Sequence, residues 1–110
     1  MADDPADSGV RSTIDPIADN IIFREPVLSA RKIDATRPFD QALSDGGGQP
    51  IRVVDDGGAK YIMQGNHRIG GAQEDGVRSV GCLVYTPEEW QEFTGMPFLP
   101  RGTNNPNIGP

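Results

Sequence analysis

The sequence predicts a small single-domain α/β (α+β) fold with a mixed sheet, and three stretches carry that prediction. "PIRVVDD", "GG" and "AKYIMQ" in succession read as two strands joined by a glycine turn, a β-hairpin pattern. "GNHRIGGAQEDG" then changes from strand alternation to helical spacing and stops at Gly76, a residue suited to the left-handed end of a helix. "RSVGCLVYT" follows as an apolar, β-branched run, the pattern of a strand buried on both faces.

The remaining elements fall around this centre. Residues 1–22 read as a flexible acidic leader: the first 20 hold five aspartates and one arginine, too little apolar surface to offset the entropy of ordering them. The domain is expected over residues 23–97, and Asp3 through about Asp19 is expected to be dispensable for folding. "EPVLSARKIDA" has a strand-like alternation, and "RPFDQALS" places Phe39, Ala42 and Leu43 at helical spacing after Pro38 at the first helical position. "DGGGQ" is a turn. Thr86, Pro87 and Glu89 form a capping box for a helix with Trp90 and Phe93 on its apolar side, ended by Gly95 and Pro97. Residues 98–110, rich in Pro, Gly and Asn, read as an extended tail that drapes over the domain or frays.

Length and charge narrow the function. A chain of 110 residues fits one compact domain, and 35% hydrophobic with 6% aromatic residues gives a modest aliphatic core. A net charge of −6 argues against a duplex-DNA-binding module, which needs a basic surface to neutralise phosphates. It leaves room for one short nucleotide held by a few amides and arginines. Cys82 is the only cysteine, so no internal disulfide forms, and its place in an apolar strand predicts a packed, inert thiol. No apolar run approaches membrane-spanning length, and the start lacks the basic and apolar regions of a signal peptide. A cytoplasmic location, or delivery into a target cell within a larger secreted protein, fits both.

The turn Gly65–Arg68 is where the sequence suggests chemistry. A strand, a tight turn and a helix start make an anion site, because the first amides of a helix lack intrahelical partners and carry the positive end of the macrodipole. Gly65 permits the sharp turn, Asn66 is suited to cap the helix, and His67 and Arg68 add a proton-transfer group and a planar donor fork. The plainer alternative is a capped helix with His67 on the surface and Arg68 paired to an acid. Gly70 and Gly71 cost the helix about 1 kcal/mol each relative to alanine, and close packing of the helix against the sheet is the expected compensation.

The order "PIRVV…AKYIMQGNHRIGGAQEDGVRSVGCLVY" resembles the ParB/sulfiredoxin superfamily over about residues 27–94. Shared features are a strand opened by Pro-Ile, a hairpin strand, a Gly-x-(His or Arg)-Arg turn, a glycine- or alanine-rich helix and a closing apolar strand. In that superfamily the turn and helix start hold nucleotide phosphates, so the resemblance implies phosphate binding by Gly65, Asn66, His67 and Arg68. Arg37, before Pro38, lies where the superfamily reaches the nucleotide; Arg31 and Lys32 lie nearby, and a surface charge is the alternative for all three. Sulfiredoxins carry a cysteine where this chain has Asn66, so sulfinic acid reduction is not implied. Partition-type ParB proteins have a glutamate at the turn and continue into DNA-binding and dimerisation regions that do not fit after Pro97.

What the resemblance implies is a minimal core of the kind found in nucleotide hydrolases, kinases, nucleases and toxin domains of bacterial effectors. Catalytic candidates are Asn66, His67 and Arg68, with an ATP-like nucleotide as substrate or ligand. Mg²⁺ is the expected cofactor, although no protein metal site is evident: Asp55 and Asp56 read as turn formers, and the adjacent Glu74 and Asp75 diverge on a helix. An immunity or antitoxin protein is the implied partner. The alternatives are a non-catalytic nucleotide-sensing or protein-binding module, and an immunity or regulatory partner.

Overall fold

The computed structural model describes residues 7–46 and 49–110, with the backbone alone at Leu43, Asp45 and Gly46. In chain order the elements are β1 (Val10–Ile14), β2 (Asn20–Phe23), β3 (Val27–Ser29), α1 (Ala30–Ala35), α2 (Gln41–Gly46), β4 (Arg52–Asp56), β5 (Ala59–Gln64), α3 (Asn66–Glu74), β6 (Val80–Tyr85), α4 (Pro87–Thr94) and β7 (Asn107–Gly109). One sheet has five strands in the order β1-β6-β4-β5-β2, and β3 pairs with β7 in a second. The larger sheet is mixed: β1–β6 and β4–β5 are antiparallel, whereas β4–β6 and β2–β5 are parallel. The expected α+β class with a mixed sheet is what forms.

Strong local signals produced the expected elements. Gly57 and Gly58 both have positive φ, 62° and 97°, as a two-residue hairpin turn requires, and Asp55 accepts from the Gly58 amide. Both halves of the α4 capping box are made, and Gly95 ends that helix in the left-handed region. Trp90 and Phe93 of α4 meet Tyr85, with ring centroids 5.1 and 5.6 Å apart. A separate aliphatic core joins Leu28, Ile33, Val53, Ile62, Ile69 and Val80, and Cys82 lies buried within it. Each such side chain contributes roughly 1.5–3 kcal/mol by leaving water.

Other expectations are corrected. The leader expected over residues 1–22 holds β1 and most of β2, while residues 1–6 lie outside the described residues. Ile14 and Ile21 enter the core, so removing this segment would open it. Composition conceals β1 because an edge strand joins largely through backbone hydrogen bonds; its first four residues are exposed. The acids also have local work, Asp15 accepting from the amides of Ile17 and Ala18.

The strand expected through "EPVLSARKIDA" stops at Ser29, whose hydroxyl caps α1 by accepting from the Lys32 amide. Pro38 does not open a helix; α2 starts at Gln41, and Asp75 instead binds the Phe39 amide. Gly47 and Gly48 of the expected turn lie outside the described residues. The tail drapes over the domain, exchanging two backbone hydrogen bonds between Thr103 and Phe23 and adding β7 alongside β3. A domain boundary at residue 97 therefore excludes a strand. Among the described residues, no helix is long and apolar enough to cross a membrane.

Candidate functional site

The hairpin delivers the chain from Gln64 into Gly65, which has φ 102° and stands as the N-cap of α3. A β-carbon there would lie 2.9 Å from Ile51 Cγ1, so both conformation and space call for glycine. Asn66 is not the cap. It is the first helical residue, 7% exposed, and its side chain accepts from the Arg24 amide at 3.0 Å and donates to the Ile62 carbonyl at 3.2 Å. The expected catalytic asparagine is thus a brace between β2 and β5.

His67 also has a structural partner. Its Nε2 accepts from the Ser29 amide at 3.0 Å, which requires an unprotonated Nε2 and, in the neutral ring, a proton on Nδ1. Nδ1 lies 3.8 Å from Glu25 Oε2, within ion-pair reach but beyond hydrogen-bond distance. Arg68 Nη1 donates to Ser44 Oγ at 3.0 Å and to the Gln49 carbonyl at 2.9 Å, tying the end of α2 to the segment entering β4. His67 is thus tied to β3 rather than simply on the surface, and Arg68 is tied to Ser44 and the Gln49 carbonyl.

Arg37 does not aim at the Gly65 turn. Its Nε donates to Asp75 Oδ1 at 2.8 Å and its Nη1 to Glu74 Oε2 at 3.0 Å, both at the C-terminal end of α3. Glu74 and Asp75, weighed as a metal pair, serve as partners for this arginine. The Arg37 hydrogen bond, and then the Phe39 amide, hold the Asp75 carboxyl below its ordinary pKa. Arg31 and Lys32 are exposed on α1.

Arg37 and Arg68 nevertheless line one cleft of about 410 Å³, together with Thr36, Phe39, Asp40 and Ser44. Close approach of α1 to α3 shapes it. A β-carbon on Gly71 would overlap Thr36 Oγ1 and come within 3.3 Å of Arg37 Cγ, whereas one on Gly70 would meet Ile33 and Leu28 at an ordinary 3.5 Å. The double glycine answers to α1 and β3 rather than to the large sheet, and only Gly71 is tightly packed. Among the described residues, no three His, Cys, Asp or Glu side chains gather as a metal site.

Thr36 and Ser44 of the cleft wall, and Arg52, were not legible as site residues in the sequence. That arginine binds Tyr85, Asp7, Gln49 and Gln64. Its signal was a lone arginine inside the apolar run "PIRVV".

No protein-family model matches the chain, and no curated protein matches it. Among solved structures, protein Atu1540 from Agrobacterium tumefaciens superposes with a TM-score of 0.48 and 16% identity, covering 70% of this chain and 37% of that one. The chain therefore spans little more than a third of that structure.

Proposed function

We propose that the chain is a ParB/sulfiredoxin-like domain that binds a nucleotide or another phosphate ester in the cleft that Arg37 and Arg68 line. One observation carries the reading: Arg37 and Arg68 line the same cleft, together with Thr36 and Ser44. Guanidinium forks and hydroxyls are the donor set that phosphate oxygens take, and Phe39 supplies an apolar wall. Mg²⁺ would arrive with the phosphates and take Asp40, the cleft carboxylate, as a protein ligand; its chemistry there is charge neutralisation.

In its catalytic form this reading is a nucleotide hydrolase, phosphoryl transferase or nuclease, with an effector toxin domain and its immunity or antitoxin partner as the biological setting. Arg68 would stabilise phosphate charge. His67 would have to release the Ser29 amide before moving a proton through Nε2. That bond favours a second reading, a non-catalytic nucleotide-sensing module in which His67 holds β3 in place. Sulfinic acid reduction stays outside both readings: Cys82 is 2% exposed and burial pushes its thiol up to about 11.

The test titrates the protein with ATP-like nucleotides, dinucleotides, RNA and DNA, with and without Mg²⁺, while following phosphate and strand cleavage. Saturable binding that falls roughly tenfold or more in Arg68→Lys and Ser44→Ala supports the cleft, since Lys keeps the charge and loses the fork. Turnover selects the enzyme; binding without turnover selects the sensor. Equal binding by both variants and the wild type would overturn the assignment.

A further inference from the structure

Arg52 and Tyr85 form a second cluster, independent of the cleft reading. Arg52 Nε donates to Tyr85 Oη at 2.9 Å, and its Nη1 donates to the side-chain oxygens of Gln49 at 3.1 Å and Gln64 at 2.7 Å. The guanidinium carbon sits 5.1 Å from the centroid of Phe93. Two donor atoms remain, Arg52 Nη2 and Tyr85 Oη, and both meet one carboxylate. Arg52 Nη2 meets Asp7 Oδ2 at 3.2 Å, and Tyr85 Oη meets Asp7 Oδ1 at 2.6 Å.

The two sides of this contact differ in how they are held. Arg52, Gln64 and Tyr85 stand on β4, β5 and β6, and the Arg52 side chain is only 12% exposed. Asp7 lies outside β1, and its side chain is 32% exposed. The segment Asp7–Gly9 lies over Tyr85 as a thin strap: a β-carbon on Gly9 would be 2.6 Å from Tyr85 Cζ. Ser8 adds one weak hydrogen bond to the Glu89 carbonyl, at 3.3 Å. Among the described residues, Asp7 is the carboxylate within ion-pair distance of Arg52. Tyr85 remains a donor over the whole physiological range, because burial, then the Asp7 hydrogen bond, push its hydroxyl up to about 12.

We propose that Arg52 and Tyr85 form a carboxylate-binding site which the chain fills with its own Asp7, and that an external, acetate-shaped carboxylate takes that place when the strap lifts. The site is built before the ligand arrives, since the sheet and the glutamines orient the guanidinium. A planar carboxylate suits it because its two oxygens take the two donors separately. The strap is therefore a resident ligand, and exchange trades one charge-assisted pair for another. Arg52 is never left buried without an anion, the state that strongly opposes simple opening.

Two measurements on the full chain test this. In wild type, acetate at the ionic strength of a chloride control should speed hydrogen exchange at the Gly9 amide, which donates to Asp7 Oδ1. In Asp7→Ala, acetate should raise the lowered melting temperature saturably, with half-saturation of roughly 1 mM or above, as expected of so small a ligand. That gain should vanish when Arg52→Met is added. Equal exchange in acetate and chloride would overturn the proposal even where Asp7→Ala fails to fold. Rescue that survives Arg52→Met, or rescue by inorganic phosphate in place of acetate, would also overturn it.

Discussion

Arg52 and Arg37 both meet aspartate, in opposite surroundings. Arg52 is 12% exposed, enclosed by Tyr85, two glutamines and the face of Phe93. Arg37 is 38% exposed at the rim of the cleft, where it meets Glu74 and Asp75. The pairing chemistry is the same, so water makes the difference. An enclosed charge must keep an anion, because losing it leaves a desolvated ion; a solvated charge exchanges partners at little cost. The Arg52 guanidinium is thus committed to its geometry, whereas that of Arg37 is the more solvated of the two.

The largest expected effect lies on the enclosed flank. Arg52→Met should destabilise the protein by about 2–4 kcal/mol in urea unfolding, because it removes the donor that Asp7 and both glutamines share. Tyr85→Phe should cost about 1–2 kcal/mol, and the double variant less than the sum, because both act on Asp7. Additive losses would show that the two donors do not work as a pair.

Next comes the packing that shapes the cleft. Gly71→Ala should destabilise by about 1–3 kcal/mol, since the new methyl must displace Thr36 Oγ1 from a crowded contact. Gly70→Ala should be neutral or stabilising by up to about 1 kcal/mol, because its site has room and alanine favours the helix. Thermal melts of the two variants should therefore move in opposite directions or separate clearly. Equal losses would place α1 differently against α3.

The pH dependence should also divide the flanks. Tyr85 has a raised pKa in the fold, so its contribution is complete below the unfolded value of 10.0 and is lost as pH rises through about 12. That alkaline loss should be smaller in Tyr85→Phe. Burial pushes the Asp7 carboxyl up, but hydrogen bonds from Tyr85, the Gly9 amide and Arg52 outweigh it and leave its pKa low. Its contribution is present above the ordinary carboxylate range and is lost as pH falls through the folded value, an effect absent from Asp7→Asn. The smallest change belongs to Arg37→Gln, which should melt almost like wild type while weakening nucleotide binding. A large stability loss there would mean that the exposed pair is structural.

The elements that were legible in the sequence are those whose causes are local. The glycine hairpin and the Thr86–Glu89 capping box are each set by residues a few positions apart. The site was legible only in outline. Gly65 turns the chain as its position suggested, but its neighbours answer to residues far along the chain: His67 to Ser29 across 38 positions, and Arg68 to Ser44 across 24. Tyr85 and Asp7 are 78 positions apart, and no spacing rule reaches that distance. The edge strand β1 stayed hidden for a different reason: backbone pairing with β6 carries it, and backbone pairing leaves little mark on composition.

The most direct test of the cleft as a phosphate site is an amide chemical-shift map of the full chain titrated with ATP in the presence of Mg²⁺. Saturable shifts are expected at Thr36, Ser44 and Gly65 through Ile69, with the Gly57–Gly58 turn unmoved and the response weakened in Arg68→Lys. Shifts confined to other parts of the molecule, or no saturable shift at any nucleotide concentration, would contradict that expectation.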